Sequence, residues 1–298
     1  MKIKLIIVCL AIFLLQGKHL SACDQCGCSV SGSYTGLMAF NTNNFIGLRF
    51  AAFHFNSELD DIHLNAGFQS LDLITAFKLN EKWQLMAYLP YKKIDYNSPD
   101  SKTKLNGLAD AGILNTITLF SNSKDLMRKN TQTFLLKAGI ELPTGKFNND
   151  FRSEHLPASI ATGSGSFDLM TGFQYRFQNK SFNLFADYSF KHPLFDGTNY
   201  HFGGQHTLSA VISEPVVKNK LTINPYYGAT AEFLSSDKYY DMEMIGTSGM
   251  QIFINSGFEF QLGKWSLGLN YDIPVYSKFD DNTVATASRF ATRVNYGF

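Results

Sequence analysis

Apolar and polar residues alternate along this chain in stretches that are long enough to cross a lipid bilayer as strands. In one stretch five apolar residues alternate with mostly polar neighbours, the apolar ones being Phe182, Leu184, Ala186, Tyr188 and Phe190. A period of two is that of a strand with one apolar face, and a tilted strand crosses a bilayer in about 9–11 residues. Because no window after residue 30 keeps the apolar period of a helix over several turns, we expect strands.

About twelve such segments follow one another, near residues 43–55, 66–79, 82–92, 108–120, 131–142, 164–178, 181–191, 204–217, 220–233, 248–262, 264–276 and 286–298. Tight turns at Asn80-Glu81, Asn179-Lys180, Lys218-Asn219 and Gly263-Lys264 have hairpin chemistry and alternate with long polar loops. Short turns on one side and long loops on the other are typical of transmembrane β-barrels. The predicted fold class is all-β: a transmembrane antiparallel β-barrel of about 12 strands, with both termini periplasmic.

The composition favours this barrel over a secreted soluble β-sandwich, which also alternates. Sandwich strands are shorter, about 5–6 residues, and expose charges on one face. Here only 17% of residues are charged, while 14% are aromatic, as an outward apolar face with interfacial aromatic residues requires. The formal net charge of +1 provides no basic face for nucleic acid.

The first residues have the layout of a secretory signal. Lys2 and Lys4 precede the apolar stretch Leu5–Leu15, and the more polar Gln16–Ala22 follows. The stretch is too short to cross a bilayer stably as a helix. We therefore predict a signal peptide over residues 1–22, a Cys-rich periplasmic arm over 23–42 and the barrel over 43–298.

The arm begins with three closely spaced cysteines, Cys23, Cys26 and Cys28. Three interpretations stay open. The three thiolates suit a soft metal, Cu(I) or zinc. Alternatively, Leu20-Ser21-Ala22-Cys23 resembles a lipobox, which makes Cys23 a candidate for lipidation. Finally, the oxidising periplasm favours a disulfide or redox bridge.

Four internal stretches and the C-terminus carry a family resemblance. The stretches are Tyr88-Leu89-Pro90-Tyr91, Gly107 to Gly112, Glu141 to Phe147, and Ala161 to Asp168. Their order and spacing resemble the outer-membrane transporter family named for meta-pathway phenol degradation, in the fatty-acid channel-like superfamily. The CxxCGC arm resembles that of such barrels in Bacteroidetes-type bacteria. The terminal aromatic Phe298 resembles the signal that outer-membrane barrels present to their insertion machinery.

The resemblance implies passage of a small solute across the outer membrane of a Gram-negative bacterium. The predicted partners are therefore outer-membrane lipids, the barrel-insertion machinery and a small-molecule or metal solute. We do not expect an enzyme. The alternative function is a structural or surface-interaction barrel without transport activity. Each of the four stretches also has a structural interpretation, as a turn or rim element at a strand end.

The inward phase of the strands collects charges of both signs. Six are basic and seven acidic: Arg49, Lys78, Lys137, Arg176, Arg289 and Arg293, with Asp72, Glu141, Asp168, Asp187, Glu232, Glu259 and Asp272. A strongly ion-selective pore shows a ring of one sign, so balanced charge indicates pairs that brace a narrow or plugged lumen. A selectivity filter is the alternative. We expect Asp272 to pair with Arg289 or Arg293, which lie on the next strand.

Two further hypotheses concern the loops and strand ends. His192, His201 and His206 are a candidate extracellular cation site, although loop histidines are more often solvated. Ser209, three residues after His206, is the nearest candidate for a catalytic serine. However, no nucleophile-elbow pattern accompanies it.

Overall fold

The structure is a computed structural model that describes residues 44–59, 62–97, 102–123, 130–147, 160–196, 199–279 and 284–298. The predicted signal peptide, cysteine arm and lipobox lie outside the described residues. The strands are β1 (Phe45–Leu59), β2 (Ile62–Lys78), β3 (Trp83–Asn97), β4 (Lys102–Leu108), β5 (Ala111–Ser121), β6 (Thr131–Leu142), β7 (Ser166–Gln178), β8 (Asn183–Asp196), β9 (Tyr200–His201), β10 (Gln205–Ser213), β11 (Val216–Lys218), β12 (Leu221–Leu234), β13 (Lys238–Tyr239), β14 (Met242–Glu243), β15 (Gly249–Leu262), β16 (Trp265–Phe279) and β17 (Val284–Gly297).

These strands form a closed antiparallel barrel. The segments β4 and β5 together make one barrel strand, and β10 and β11 make another, which gives twelve. Each barrel strand pairs with its neighbours in the chain, and β1 pairs with β17 to close the circle. The predicted all-β antiparallel barrel of twelve strands is therefore confirmed. The periplasmic location of the termini stays a prediction. No helix in the described part of the chain is long and apolar enough to cross a membrane.

Of the four predicted two-residue turns, Gly263-Lys264 is found as predicted and Lys218-Asn219 is shifted by one residue, to Asn219-Lys220. The connections at Asn80 and at Asn179 are four residues long instead. Asn219 and Gly263 adopt left-handed φ angles of 55° and 59°, which two-residue hairpin turns require. The side chains of Asn80 and Asn179 instead accept hydrogen bonds from main-chain N–H groups two and three residues further on, at 2.7–3.0 Å. These turns lie at the end of the barrel where Phe298 N–H donates to the Asn44 carbonyl, which we call the short-turn end.

Prolines explain most irregularities of the wall, because proline supplies no N–H group to a ladder. The break between β4 and β5 lies opposite Pro90, whose carbonyl accepts the N–H of Ala109 at 2.8 Å. The break between β10 and β11 lies opposite Pro225. Register shifts occur where Pro193 faces β7 and where Pro274 faces β15.

Several segments predicted as long loops are extensions of strands. The β1–β2 ladder continues to Leu59 and Ile62, and the β3–β4 ladder continues to Asn97 and Lys102. Alternation fails here for a physical reason. Beyond the bilayer the outward face meets water and no longer has to be apolar, as at Lys93 and Asp95, while Ile94 and Tyr96 between them stay buried. The outward apolar period therefore ends while the backbone ladder persists. A small sheet of β9, β13 and β14 lies among the connections at this opposite, long-loop end.

One seam of the wall is only partly closed. The β16–β17 ladder ends at Asp272 and Arg289, although β16 continues to Phe279 and β17 starts at Val284. Above that level β16 pairs with β15, and β17 pairs with β1 after a register shift next to Phe53. The two strands therefore separate toward the long-loop end.

The two faces of the wall differ as a membrane barrel requires. Leu48 and Phe50 point outward and are 51% and 37% exposed, whereas Arg49 between them points inward and is 5% exposed. Along the other strands the outward side chains are likewise mainly apolar. The inside holds buried polar and charged side chains together with buried apolar clusters, one of which contains Phe53, Phe68, Ile94 and Tyr96.

Candidate functional site

The structure places the predicted lumen charges on the inward face. Eleven of the thirteen charges that we predicted for the lumen are buried: Arg49, Asp72, Lys137, Glu141, Asp168, Asp187, Glu232, Glu259, Asp272, Arg289 and Arg293. Arg176 is half-buried, and Lys78 lies at the very end of β2 and is exposed. The charges form two large groups and one separate pair.

The first group, which we call the β6–β8 cluster, begins with a lysine that reaches across a strand. The Nζ of Lys137 on β6 donates to both carboxylate oxygens of Asp187 on β8, at 2.8 and 2.6 Å. Gly172 on the intervening strand leaves room for this, because a Cβ there would come within 3.0 Å of the Lys137 side chain. Gln174 also donates to Asp187, at 3.3 Å, and Arg176 donates to Gln174 at 2.8 Å.

The second half of the β6–β8 cluster is organised by Lys191, which the sequence analysis missed. Its Nζ forms ion pairs with Glu141 and with Asp168, the latter at 2.8 Å. The hydroxyl groups of Tyr88 and Ser166 donate to the same two carboxylates. Lys191 has the inward parity of Asp187 and Ser189 and is the last residue of the predicted strand 181–191, so the parity rule could have found it.

The second group, the β12–β17 cluster, uses arginine. Arg289 donates to both carboxylate oxygens of Glu232 at 2.7 and 3.0 Å, and its guanidinium lies 3.9 Å from the ring centre of Phe253. Arg293 donates to Glu259 at 2.6 Å. Gly268 stands opposite both Arg293 and Glu259, and a Cβ there would lie 2.8 Å from Arg293 Nε. In both clusters, therefore, a long cationic side chain crosses a glycine on the intervening strand to reach its carboxylate.

The predicted pairing of Asp272 with Arg289 or Arg293 is wrong. Asp272 stands opposite Arg289 in the ladder, but it accepts hydrogen bonds from Asn255 and Asn270 at 2.6 and 2.9 Å. Arginine is long enough to reach beyond the adjacent strands, and Glu232 offers it a two-pronged contact. Strand register identifies only residues that face each other on adjacent strands, so it could not indicate Glu232 as the partner of Arg289. The separate pair does follow register, since Arg49 on β1 donates to Asp72 on β2 at 2.9 Å.

The stretches that carry the family resemblance meet at the long-loop end of one wall, in what we call the rim node. Asp110 accepts the N–H groups of Gly145 and Ser164 at 2.8 and 2.6 Å. Thr144 donates to the carbonyl of Ala109 at 2.8 Å. A Cβ on Gly163 would lie 2.7 Å from Gly145, so the two backbones are in contact. These contacts hold strand ends and loops together, as the structural interpretation of these stretches expects.

The remaining candidate residues do not converge. Ser209 faces the interior, whereas His206 lies on the other face, where its ring stacks on Phe190 at 4.4 Å. They cannot act together as a catalytic pair. The ring of His192 stacks on Phe190 at 5.7 Å, and His201 belongs to the small sheet. The described residues contain no group of three or more His, Cys, Asp or Glu side chains that could hold a metal.

The charged interior is closely packed at the level of the two clusters. Lys137 and Glu232 are 2% exposed and Asp72 is 0% exposed. A cavity of about 30 Å³ lies between Lys191, Gln205 and Asp237. It has room for about two water molecules. A wide, water-filled lumen would leave such side chains solvated, so the interior here is narrow.

Comparison with known proteins identifies the fold. No protein-family profile and no curated protein sequence matches the chain. The structure is similar to that of an outer membrane channel from Pseudomonas putida F1, with a TM-score of 0.65 and 11% identity over 87% of this chain and 97% of that one. The fold is therefore that of an outer-membrane β-barrel.

Two autotransporter domains are more distant. The translocator domain of NalP from Neisseria meningitidis is 9% identical with a TM-score of 0.47, over 91% of this chain and 96% of that one. The transport unit of AIDA-I from Escherichia coli is 10% identical with a TM-score of 0.48, over 93% and 99%. At these scores neither supports a conclusion about this chain. The resemblance to the phenol-degradation family stays a prediction.

Proposed function

We propose that this protein is an outer-membrane β-barrel channel of a Gram-negative bacterium that passes a small apolar or aromatic solute. The observation that carries the proposal is the combination of a packed, ion-paired interior with a wall that separates at one seam. The interior restricts the axial route for hydrated ions, and the seam offers a lateral route to a solute that dissolves in lipid.

The interior argues against a general pore for polar solutes. Such pores keep a water-filled lumen lined with solvated charges. Here Lys137–Asp187, Arg289–Glu232 and Arg293–Glu259 are buried pairs. Opening a wide aqueous path would separate them, and separating buried charges costs several kcal/mol, about 3–5 for each pair.

The seam supports an apolar solute over a polar one. Within the described residues above Asp272 and Arg289, no ladder pairs β16 with β17, and Val275 and Tyr276 on β16 are 51% and 43% exposed. A gap between strands that faces lipid is costly unless something occupies it. A solute with an apolar surface fills such a gap without hydrogen-bonding to its edges.

Planar-bilayer recordings and liposome uptake test this function together. We expect a small conductance, little entry of sugars and faster entry of an aromatic probe than in protein-free liposomes. The Arg289→Ala/Arg293→Ala variant should raise the ion conductance, because two cations that cross the interior are lost. Lys104→Ala, at the exposed long-loop end, is the control. A large, steady, porin-like conductance in the unaltered protein would contradict the proposal.

The alternative, a barrel without transport, is tested in cells. A deletion strain grown on aromatic and fatty substrates and on limiting metals should show a defect with at least one of them. The complementing gene should restore growth. Growth indistinguishable from the parent strain in every condition would favour the structural barrel.

For the arm we propose that Cys23, Cys26 and Cys28 bind a soft metal, Cu(I) or zinc. The support is the sequence alone: three soft ligands within six residues. Mass spectrometry of the mature N-terminus separates this from the two alternatives. A diacylglyceryl Cys23 with a Cys26–Cys28 disulfide would rule out the metal site, and metal retained by a chain with free thiols would support it.

A further inference from the structure

The short-turn end of the barrel is basic. Six lysines lie there and all are exposed: Lys78, Lys82, Lys180, Lys218, Lys220 and Lys264. The acidic residues at the same level are Glu81 and Glu214. No ion pair within the described residues involves any of the six lysines.

These lysines stand next to the apolar, outward-facing band. The sequence contains two tryptophans, and each follows a turn lysine directly, as Lys82-Trp83 and Lys264-Trp265. Trp83 and Trp265 are 45% and 56% exposed at the starts of β3 and β16. Tryptophan concentrates at the boundary between hydrocarbon and headgroups. The adjacent lysine ammonium groups therefore lie at the depth of the lipid headgroups.

Two of the lysines flank a cleft of about 290 Å³ at the β1–β17 closure. The cleft is lined by Lys78 and Lys264, by the polar side chains of Gln261 and Ser266, and by Trp265. Phe298 also lines the cleft. The cleft thus combines an excess of positive charge, neutral hydrogen-bonding groups and an aromatic wall.

We propose that this cleft binds the phosphate of an anionic phospholipid headgroup, and that the other four lysines form a basic ring that enriches such lipids around the barrel. The inference rests on the proposed membrane location but not on the transported solute. The cleft opens beside the lipid-facing band, so a lipid can place its phosphate between Lys78 and Lys264 while its acyl chains lie along Trp265.

The lysines at the opposite, long-loop end of the barrel differ from those at the short-turn end. There Lys93 and Lys104 both lie close to Asp95, at 3.2 and 4.0 Å, so part of the positive charge is already neutralised within the protein. Other exposed lysines at that end, such as Lys102 and Lys278, lie on hairpins that extend beyond the apolar, outward-facing band. They provide matched controls of equal charge.

Quenching of Trp265 by brominated lipids tests the proposal. Trp83→Phe leaves Trp265 as the reporter, and the refolded protein is placed in phosphatidylcholine vesicles that contain brominated phosphatidylglycerol or brominated phosphatidylcholine. We expect stronger quenching by the anionic lipid at equal mole fraction. Lys78→Gln/Lys264→Gln should reduce the preference about fivefold per lysine, since a lysine near an anionic surface contributes roughly 1 kcal/mol.

The control variants distinguish binding in the cleft from a general attraction of anionic lipid to the positive charge of the protein. Lys102→Gln/Lys278→Gln, in the same Trp83→Phe background, should keep the preference for the anionic lipid. Equal quenching by the two lipids, or an equal loss in both double variants, would overturn the inference. Insertion without a lipid preference defeats only this inference, whereas failure to insert into any vesicle defeats the proposed membrane location as well.

Discussion

The two charged clusters stabilise different walls of the barrel interior with different chemistry. In the β6–β8 cluster, Lys191 is shared between two carboxylates and Lys137 donates to a third. In the β12–β17 cluster, Arg289 and Arg293 each bind a carboxylate of their own. The first cluster lies behind ladders that join β6, β7 and β8 over nearly their whole length, with one register shift beside Asp168, and the second borders the seam where the β16–β17 ladder ends at Asp272 and Arg289.

The two clusters differ in how strongly they depend on the geometry of the cation. Lysine is a compact charge that several acceptors can share, whereas the arginine fork fixes both oxygens of one carboxylate in a plane. The arginine cluster therefore places directional contacts at the wall that lacks a complete ladder. The lysine cluster occupies a wall that its backbone already holds together.

The largest expected effect comes from removing one half of a buried pair. Lys137→Met leaves Asp187, whose side chain is 1% exposed, without its principal cation. Unfolding by urea in vesicles, followed by tryptophan fluorescence, should show a loss of about 3–5 kcal/mol. The double variant Lys137→Met/Asp187→Leu should recover most of it. No recovery in the double variant would show that the loss is not due to the stranded carboxylate.

A smaller effect should separate the two clusters. Arg289→Lys keeps the charge but removes the fork to Glu232 and the stacking on Phe253. We expect the free energy of unfolding to fall by about 1.5–3 kcal/mol, the value of a hydrogen bond to a charged group. Unchanged unfolding would mean that Glu232 accepts a lysine equally well, and that the two clusters do not differ in geometry.

The space that a glycine leaves beside a cationic side chain can be filled by substitution with alanine. Gly268→Ala places a Cβ 2.8 Å from Arg293 Nε, so Arg293 must shift away from Glu259. Crowding of this kind costs about 1–3 kcal/mol. Gly107→Ala is the control, because the nearest atoms to its Cβ are 3.8 Å away, on Thr162. Equal unfolding energies for the two alanine variants would show that Arg293 does not need the gap.

The smallest effect is expected outside both clusters. Lys104 is 79% exposed and lies 4.0 Å from Asp95. Lys104→Ala should change the free energy of unfolding by about 0.5 kcal/mol or less, because exposed ion pairs are screened by water and salt. A loss comparable to that of Lys137→Met would contradict the distinction between interior and surface charges.

Much of the fold could be predicted because lipid imposes one rule on every strand. An outward residue must be apolar, so alternation alone located the twelve barrel strands and the turns at Asn219 and Gly263. Beyond the bilayer that rule ends, and the strand extensions at Leu59 and Asn97 were predicted as loops. The sequence also contained the prolines that interrupt the wall, but not which strand faces each of them.

The interior was harder to predict than the wall. The parity of a strand shows that Arg289 points inward, but it does not show that its guanidinium reaches Glu232 rather than Asp272. That choice depends on side-chain length, on the barrel diameter and on which inward positions are glycine. The same parity rule applies to Lys191, the last residue of the predicted strand 181–191, and could have placed it inside.

The closure of the barrel by β1 and β17 has a consequence for the order of folding. The other ladders join strands that are consecutive in the barrel and can form one after another, whereas this ladder joins strands from opposite ends of the described chain. Its loop-closure entropy is the largest of any ladder, so we expect it to form last and to limit the folding rate. Until then β1 and β17 are both open edges, and this intermediate is the form most exposed to aggregation.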